Sequence, residues 1–323
     1  MRDSVNIAII SGVTGQDGIL LSKILQDCKY NVIGLTRSIK NAKSKQLDGK
    51  TLRDVTFIET DYHVNSILKI LEDYNPQLIF NLAGQSYVSK SWEIIEETIW
   101  SQGGITGNFL EAIRRLGDKS IKFINASSSE IFDSKLSPPY SEKSSRNPYN
   151  PYGCAQILST QLVEVFRERY SLNACNAIFF PHESIYRQDN FFFKKVILGV
   201  KKISIGESEI LEVGNIEIIR DWGYAEEYME GVYKLSQLDS LLDVCFATNK
   251  PQSVRQILEI AFSFKGLDWI DYVVIDEKFH RYYEPEVVYG FASAAEKLLG
   301  WRPKLWGKSL VEKVFTDLDS SWK

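Results

Sequence analysis

The chain has 323 residues, 44% of them hydrophobic, which is enough to bury a large core in one or two lobes. Its 42 acidic and 38 basic residues give a formal charge of −4 without long blocks of either sign, which excludes a nucleic-acid-binding stripe. Because no apolar run reaches membrane-spanning length and no signal peptide precedes the first predicted strand, we expect a cytoplasmic protein without a membrane or nucleic-acid partner.

The first half of the sequence alternates strand and helix patterns. Residues 5–11 form a continuous apolar run, which is typical of a strand buried on both faces, and a glycine-rich turn leads into a helix at 17–28. This alternation predicts an α/β fold with a doubly wound parallel sheet. Residues 39–53, rich in lysine and polar residues, are predicted to be a mobile loop. Further strands are predicted at 31–36, 55–59, 77–82, 121–126 and 173–180, and helices at 64–73, 92–116 and 148–170.

The second half is less regular. Short apolar runs alternate with turns, and helical patterns recur at 226–237 and 254–264. We therefore predict a nucleotide-binding domain with the catalytic residues at 1–180. Residues 181–323 are predicted to form mainly a smaller substrate-binding lobe that caps the sheet, with interleaved segments. The four cysteines and three histidines show no metal-ligand spacing, so no metal is expected and the thiols are read as reduced.

Residues 11–18 read SGVTGQDG and lie between the first predicted strand and helix. Gly12, Gly15 and Gly18 would allow a tight turn, close approach of phosphate and close helix packing, and the helix N-terminus would attract a pyrophosphate. An ordinary strand-to-helix turn is the alternative interpretation, but the position favours dinucleotide binding. The predicted cofactor loop consists of Gly12, Thr14, Gly15, Gln16, Asp17 and Gly18.

Arg37 follows the second predicted strand, where a site for NAD would carry an acidic residue. An arginine there suits a 2′-phosphate, so NADP is favoured, with NAD as the alternative cofactor and a plain surface arginine as the alternative reading. Asp61 is expected to contact the adenine amine. Leu82 and Ala83, at the end of the fourth strand, would leave space for the cofactor.

Six motifs in order resemble the GDP-mannose 4,6-dehydratase family over nearly the full length. They read GVTGQDG at 12–18, NLAGQS at 81–86, ASSSEI at 126–131, HES at 182–184, GN with RDWG at 214–223, and LGWRP at 299–303. The resemblance implies a Rossmann-like domain and an extended short-chain dehydrogenase/reductase. It also implies an internal redox cycle in which hydride leaves C4 of a hexose and returns to C6 after water is lost.

The resemblance implies catalytic roles for three residues. Tyr152 would take the O4 proton, Ser128 would bond O4, and Glu130 would remove the C5 proton and help to expel the C6 hydroxyl. Simple dehydrogenases and epimerases of this fold do not need a carboxylate at position 130. The alternative readings are a polar turn for residues 127–130 and a tyrosine packed on the sheet for Tyr152.

The chain departs from the family pattern at Gln156, where the tyrosine motif carries lysine four residues after Tyr152. That lysine bonds the nicotinamide ribose and lowers the tyrosine pKa from about 10. Glutamine can still bond the ribose, but it carries no charge that would lower the tyrosine pKa. Three explanations stay open: a slow enzyme, a cation supplied by another residue such as Lys195, or lost activity. A substitution introduced deliberately would have the same appearance.

The resemblance also implies binding residues in the second half. Arg220 would hold the substrate diphosphate, as a guanidinium fork suits that task. His182 and Arg187 are expected at the cofactor. GDP-mannose is the leading substrate, and a C2-modified relative such as GDP-N-acetylglucosamine fits as well. The predicted substrate residues are Ser86, Ser129, Glu183, Lys195, Gly214, Asn215 and Arg220.

Two other functions compete with a dehydratase. A nucleotide-sugar epimerase or reductase would not need Glu130. A catalytically weakened nucleotide-sugar-binding protein would explain Gln156, although the presence of Ser128, Glu130 and Tyr152 argues against it. The family also implies a homodimer or homotetramer.

Overall fold

The computed structural model describes residues 6–46, 51–279 and 283–321. Its main feature is a seven-stranded sheet, and the strand pairs with a defined register between Thr56–Glu59 and Lys122–Ser128 are parallel. The predicted α/β, doubly wound fold is therefore confirmed. Across the sheet the strands follow the order Val244–Phe246, Ala174–Phe179, Lys122–Ser128, Leu78–Asn81, Ile7–Ser11, Asn31–Thr36 and Thr56–Glu59.

The strand order reverses at Ile7–Ser11, because the chain builds outward first on one side of this strand and then on the other. Such a reversal opens a crevice beside the carboxyl ends of the strands, where open α/β sheets bind their ligands. The register brings Ser11 level with Leu35 on one neighbour and with Asn81 on the other. The carboxyl edge at this strand is thus the expected position of a ligand site.

The described chain divides into two compact units. The first extends to Asp133 and includes Ser145–Ile178 and Met229–Val244, and the second consists of Ser134–Ser144, Phe179–Tyr228 and the chain from Cys245. The first unit has an apolar core that includes Ile9, Ile79, Phe109 and Phe123. Its helices are Gln16–Asp27, Ile39–Gln46, Val64–Tyr74, Ile95–Ile99, Ile105–Leu116 and Pro151–Tyr170, with a π-helical turn at Trp100–Gly104.

The second unit is built from helices and short strand pairs. Its core includes Val196, Trp222, Leu258 and Phe315, all buried. His182–Glu183 pairs with Gly223–Tyr224, and Leu211–Val213 pairs with Val273–Ile275. Ile219–Arg220 lies between Gln252–Ser253 and Val287–Val288. The helices of this part of the chain are Phe192–Ser204, Val254–Phe264, Ser293–Leu299 and Gly307–Ser321, and Ala225–Ser236 begins in it.

The prediction of a mobile loop at residues 39–53 is wrong for its first half, which forms the helix Ile39–Gln46. The Ser38 hydroxyl accepts the backbone N–H of Asn41 at 3.4 Å, and a Glu59 carboxylate oxygen accepts that of Ile39 at 2.9 Å. A carboxylate and a hydroxyl at a helix N-terminus satisfy donors that the helix leaves unpaired. Residues 47–50 lie outside the described part of the chain.

A ladder of buried polar side chains crosses the sheet in the first unit. The Ser11 hydroxyl donates to Asn81 at 2.6 Å, and the Asn81 amide donates to Asn125 at 2.9 Å. The Asn125 amide donates to Asn176 at 3.1 Å, and Asn176 donates to the Asp243 carboxylate at 3.2 Å. Each amide contributes both its donor and its acceptor, so buried polar groups on four strands are paired with one another.

Neither a membrane-spanning helix nor a metal-ligating cluster occurs in the described part of the chain. Among the helices of residues 6–46, 51–279 and 283–321, none combines the length and the apolar character needed to cross a membrane. The same residues contain no group of three or more His, Cys, Asp and Glu side chains that could hold a metal ion.

Candidate active site

The glycine-rich turn after the first strand is a close backbone crossing. Gly12 has φ +72°, and a side chain there would place a Cβ atom 2.7 Å from the Leu82 carbonyl. A Cβ atom at Gly18 would lie 2.5 Å from the carbonyl oxygen of Gly12. Gly15 is the N-cap of the helix Gln16–Asp27 and offers no capping side chain. The close crossing, and a helix start whose N-cap has no side chain, therefore fit a dinucleotide pyrophosphate, which is bound by backbone N–H groups at close approach.

The other predicted cofactor residues of the first unit surround this turn. The Ala83 N–H donates to the Ser11 hydroxyl at 3.2 Å, and the Leu82 N–H donates to the Ser11 carbonyl at 3.2 Å. The Gln16 amide bonds the Asp17 carboxylate at 3.1 Å, and Thr14 is half-buried. These residues lie beside the ends of the first and fourth strands along the chain.

Arg37 and Asp61 lie at the surface of the first unit. The Arg37 side chain is 70% exposed and its guanidinium lies 3.4 Å from Glu97, so it is accessible to an anionic ligand. The backbone N–H of His63 and the hydroxyl of Ser66 hold the pKa of Asp61 below its usual value. The Asp61 carboxylate therefore already accepts a hydrogen bond just before the helix Val64–Tyr74. The predicted contact with the adenine amine would be a second role for it.

Glu130 lies in a short turn directly after the strand Lys122–Ser128. The Ser128 hydroxyl accepts the Glu130 backbone N–H at 3.3 Å. One carboxylate oxygen of Glu130, Oε2, accepts the Tyr149 hydroxyl at 2.7 Å and the Asn150 amide at 2.8 Å. Glu130 is half-buried, so its carboxylate is held in one orientation without being sealed from a ligand.

The start of the helix Pro151–Tyr170 is fastened to Glu130. Asn150 is the N-cap: its side-chain oxygen accepts the Gly153 N–H at 2.7 Å while its amide nitrogen donates to Glu130. Gly153 allows close contact, because a Cβ atom there would lie 2.5 Å from the Glu130 carbonyl oxygen. Pro151 occupies the first helical turn, where its missing N–H costs nothing. The first turn of this helix, which carries Tyr152, thus packs directly on Glu130.

Tyr152 and Gln156 contact each other, one helical turn apart. The Gln156 amide nitrogen donates to the Tyr152 hydroxyl oxygen at 3.1 Å and to Gln102 Oε1 at 3.0 Å. The Tyr152 backbone N–H donates to the Ser91 hydroxyl at 3.2 Å. Both predicted residues are buried, so this pair is shielded from bulk water.

In the second unit, the predicted residues of the HES segment lie on a short strand. The His182 ring stacks on Tyr228 with centroids 4.8 Å apart, and its Nδ1 lies 2.8 Å from the Phe180 carbonyl oxygen. Arg187 lies 3.6 Å from the Glu183 carboxylate, and its guanidinium is 3.8 Å from the centroid of the Phe191 ring. Glu183 is buried and Arg187 half-buried, so these two form an ion pair that is largely shielded from water.

Arg220 is buried and already paired. Its guanidinium donates to Glu284 at 3.2 Å and to the Ile219 carbonyl at 2.8 Å.

The other predicted substrate residues of the second unit lie near Phe279 or in the following turn. Lys195 lies 3.9 Å from the centroid of the Phe279 ring, and burial lowers the pKa of Lys195 below its ordinary value. A Cβ atom at Gly214 would lie 2.9 Å from the Phe279 carbonyl oxygen, and Asn215 accepts the Glu217 N–H at 2.9 Å.

The structure connects the four predicted catalytic residues through two contacts, Ser128 with Glu130 and Tyr152 with Gln156, and through the helix start that joins them. Ser129 is buried in the same turn as Glu130, and Ser86 is an exposed residue after the fourth strand. Sequence reasoning missed three residues that touch this group: Tyr149, Asn150 and Gln102. The Asn-Pro pair at 150–151 is a recognisable helix start, but no local signal marked Gln102.

Comparison with known proteins gives a consistent result. The family model of GDP-mannose 4,6 dehydratase matches residues 9–314. GDP-mannose 4,6 dehydratase 1 of Arabidopsis thaliana is 34% identical over 97% of this chain and 89% of its own length. The GDP-mannose 4,6-dehydratase of Sinorhizobium fredii is 33% identical over 97% of this chain and 96% of its own.

Solved structures share the fold at lower identity. A Thermotoga maritima UDP-glucose 4-epimerase with UDP-glucose is 18% identical with a TM-score of 0.85, covering 98% of this chain and 100% of its own. RMD from Pseudomonas aeruginosa complexed with NADPH is 18% identical with a TM-score of 0.77, covering 98% of each chain.

Proposed function

Because the chain belongs to the GDP-mannose 4,6-dehydratase family, we propose that Ser128, Glu130 and Tyr152 convert a GDP-hexose into its 4-keto-6-deoxy product with loss of water. The observation that carries this assignment is the orientation of Glu130. Its Oε2 atom is held by Tyr149 and Asn150, whereas within the described residues its Oε1 atom accepts no hydrogen bond. A carboxylate with one fixed and one available oxygen suits a proton transfer at C5.

The glycine-rich turn at residues 12–18 would hold a nicotinamide dinucleotide, which when bound would supply reversible hydride transfer between C4 and C6 of the hexose. Tyr152 removes the O4 proton as the ketone forms, while the Ser128 hydroxyl donates a hydrogen bond to O4. The ketone acidifies the C5–H bond, and Glu130 takes that proton. Glu130 then protonates the C6 hydroxyl, which leaves as water. The proton that Tyr152 took from O4 balances the one that C5 regains when C6 is reduced.

For the cofactor, the proposal is NADP. The support is the exposed guanidinium of Arg37 at the end of the second strand, where a 2′-phosphate is expected. We expect NADP to bind tighter than NAD, and Arg37→Gln to remove most of that difference. Fluorescence titration with both nucleotides measures it, with the exposed neighbour Lys40→Gln as control. Equal affinities in the unaltered protein would contradict the choice of NADP.

For the substrate, the proposal is GDP-mannose or a C2-modified GDP-hexose such as GDP-N-acetylglucosamine, with its diphosphate on Arg220. The other proposed substrate contacts are Glu183, Lys195, Gly214 and Asn215 of the second unit, and Ser86 and Ser129 of the first. His182 and Arg187 are proposed cofactor contacts. A cytoplasmic location remains part of the proposal.

Self-association as a homodimer or homotetramer is supported by exposed apolar side chains in the first unit. Ile95, Ile99 and Trp100 on one helical segment, and Leu158 and Val165 on the helix Pro151–Tyr170, are all more than a third exposed. Light scattering of the purified protein measures the oligomeric state. A monomer at micromolar concentration would contradict this part of the proposal.

The deciding experiment incubates the protein with NADP and either GDP-mannose or GDP-N-acetylglucosamine and weighs the products by mass spectrometry. Loss of one water without net formation of NADPH supports the dehydratase and identifies the substrate. A reductase would consume reduced cofactor, and an epimerase would leave the mass unchanged. Glu130→Gln should slow the loss of water about 10²–10⁴-fold, whereas Glu168→Gln, exposed on the neighbouring helix, should leave the rate unchanged.

A further inference from the structure

Three buried side chains of the first unit form a hydrogen-bonded relay that ends on the Tyr152 phenol. The Gln102 amide nitrogen donates to the Gln85 carbonyl at 2.7 Å, and the Gln156 nitrogen donates to Gln102 Oε1 at 3.0 Å and to Tyr152 Oη at 3.1 Å. Tyr152, Gln102 and Gln156 are 8%, 6% and 4% exposed, so bulk water offers few alternative partners. We call the Gln85 carbonyl, Gln102 and Gln156 the amide relay.

The chemistry of the relay fixes which end of each amide faces which partner. A backbone carbonyl only accepts, so Gln102 must direct its nitrogen towards Gln85 and its oxygen towards Gln156. That oxygen also only accepts, so Gln156 must face it with Nε2. Turning the Gln156 amide over would bring two acceptor oxygens together. The two hydrogens of Gln156 Nε2 are therefore directed to Gln102 and to Tyr152.

We propose that Gln102 is a positioning residue, which holds Gln156 so that a neutral amide donates to the Tyr152 oxygen. This inference rests on the proposed function, in which Tyr152 takes the O4 proton. With Gln156 as donor, the tyrosine's own hydroxyl hydrogen is left to point elsewhere, and the phenolate form keeps a hydrogen bond. The relay thus replaces a lysine cation by an oriented dipole, which stabilises the phenolate less.

Glutamine at position 156 also presents an acceptor, Oε1, where a lysine would present only donors. Gln156 Oε1 is buried and accepts no hydrogen bond within residues 6–46, 51–279 and 283–321. A buried acceptor without a donor costs stability, whereas a lysine ammonium has donors only. Gln156 Oε1 is assigned to a sugar hydroxyl, which can donate to it. Two sources carry such hydroxyls, the cofactor ribose and the substrate hexose.

The surroundings of Gln102 are shaped for this side chain. Gly84 leaves the space, since a Cβ atom there would collide with the Gln102 amide. Gln102 lies in the π-helical turn Trp100–Gly104, a local widening that in helices often marks a functional position. The Thr106 hydroxyl donates to the Gln102 carbonyl at 2.7 Å and accepts the Asn81 amide of the polar ladder at 2.9 Å. The backbone that carries Gln102 is therefore fixed from both sides.

A double-mutant cycle tests the relay through cofactor affinity and turnover. Gln102→Met and Gln156→Met remove the amides at similar volume, and Gln161→Met, exposed on the same helix as Gln156, is the control. We expect each single variant to lower kcat about tenfold, and the double variant to lose no more than Gln156→Met alone. If the losses of kcat in the two single variants multiply in the double variant, or if Gln102→Met has an unchanged kcat, the positioning role is overturned.

Binding measurements identify the hydroxyl and stand apart from turnover. NADPH affinity that falls about tenfold in Gln156→Met assigns Oε1 to the ribose, and weaker binding of the GDP-hexose alone assigns it to the hexose. If neither affinity changes, Oε1 receives no ligand hydroxyl. Should a methionine variant not fold, Gln102→Glu keeps the volume but loses the donor to Gln85, and unchanged affinities for both NADPH and the GDP-hexose in it would overturn the relay. If the unaltered protein binds NADPH yet dehydrates neither sugar, the proposed function fails while the NADPH and GDP-hexose titrations still decide the relay.

Discussion

The two units hold their candidate site residues by different forces. In the first, Glu130, Tyr152 and Gln156 are oriented by hydrogen bonds with neutral groups and by a helix start. In the second, Arg220 and Arg187 already contact carboxylates of their own unit. A group that performs chemistry keeps its partners through the reaction, whereas these arginines would bind an anion beside a carboxylate that already occupies part of the guanidinium. The first unit therefore orients its candidate groups, whereas in the second unit a ligand anion competes with a carboxylate for each arginine.

The largest effect is expected at Arg220. Arg220→Gln should weaken GDP-hexose binding about 100-fold and, because it removes the buried guanidinium that pairs with the Glu284 carboxylate, lower the free energy of unfolding by about 3 kcal/mol. Adding Glu284→Gln should restore stability without restoring affinity, as measured by calorimetry and denaturant unfolding. Arg255→Gln, which removes an exposed partner of Glu217, is the control. Recovered affinity in the double variant would show that Arg220 does not bind the diphosphate.

Gln156→Lys tests whether the neutral arrangement of the first unit limits the reaction. An ammonium beside the Tyr152 oxygen is expected to lower the tyrosine pKa by about one to three units, so the pH at which turnover rises should move down. Turnover near neutral pH should increase by about tenfold or more. The pH profile of kcat measures both. An unchanged profile would indicate that the amide relay already suffices or that Tyr152 is not the base.

Asn150→Asp separates the two hydrogen bonds of the Asn150 side chain, one that caps the helix and one to Glu130. The aspartate oxygen still caps the helix, so the thermal midpoint should change little, but the donor to Glu130 is replaced by a like charge. Turnover should fall about tenfold, while Asn150→Ala should lose about 1 kcal/mol of stability as well. Turnover and thermal unfolding of both variants give the comparison. Equal turnover in Asn150→Asp and the unaltered protein would remove Asn150 from the site.

The smallest effect concerns an exposed ion pair in the first unit. Arg114 and Arg115 lower the pKa of Glu111 to about 2, below the unfolded value of about 4.3. The resulting stabilisation is fully present above about pH 4 and is lost as pH falls towards 2. Because the pair is solvated, Glu111→Gln should cost under about 1 kcal/mol at pH 7 and nothing near pH 2. Urea unfolding at several pH values checks this, and a pH-independent loss would contradict it.

The sequence predicted the sheet because buried parallel strands are continuous apolar runs, and it predicted the cofactor turn because only glycine tolerates the crossing at Gly12. Glu130 and Tyr152 were recognised from motifs. Gln102, 54 residues before its partner Gln156, was not, because such a contact depends on helix packing and not on local pattern. The helix Ile39–Gln46 was missed because its capping carboxylate, Glu59, comes from a separate strand. Likewise, nothing in RDWG shows that Glu284 bonds its arginine.

The polar ladder across the sheet has a consequence for how the strands find their partners. Ser11, Asn81 and Asn125 are level with one another in the strand register. Slipping one strand by a single residue would turn its side chains to the opposite face and leave amides on both neighbours without partners in a dry interior. Apolar side chains alone discriminate weakly against a shift that exchanges one aliphatic residue for another. The ladder therefore favours the native strand register, in which the strand ends that carry the cofactor turn and the catalytic turn lie at the same edge of the sheet.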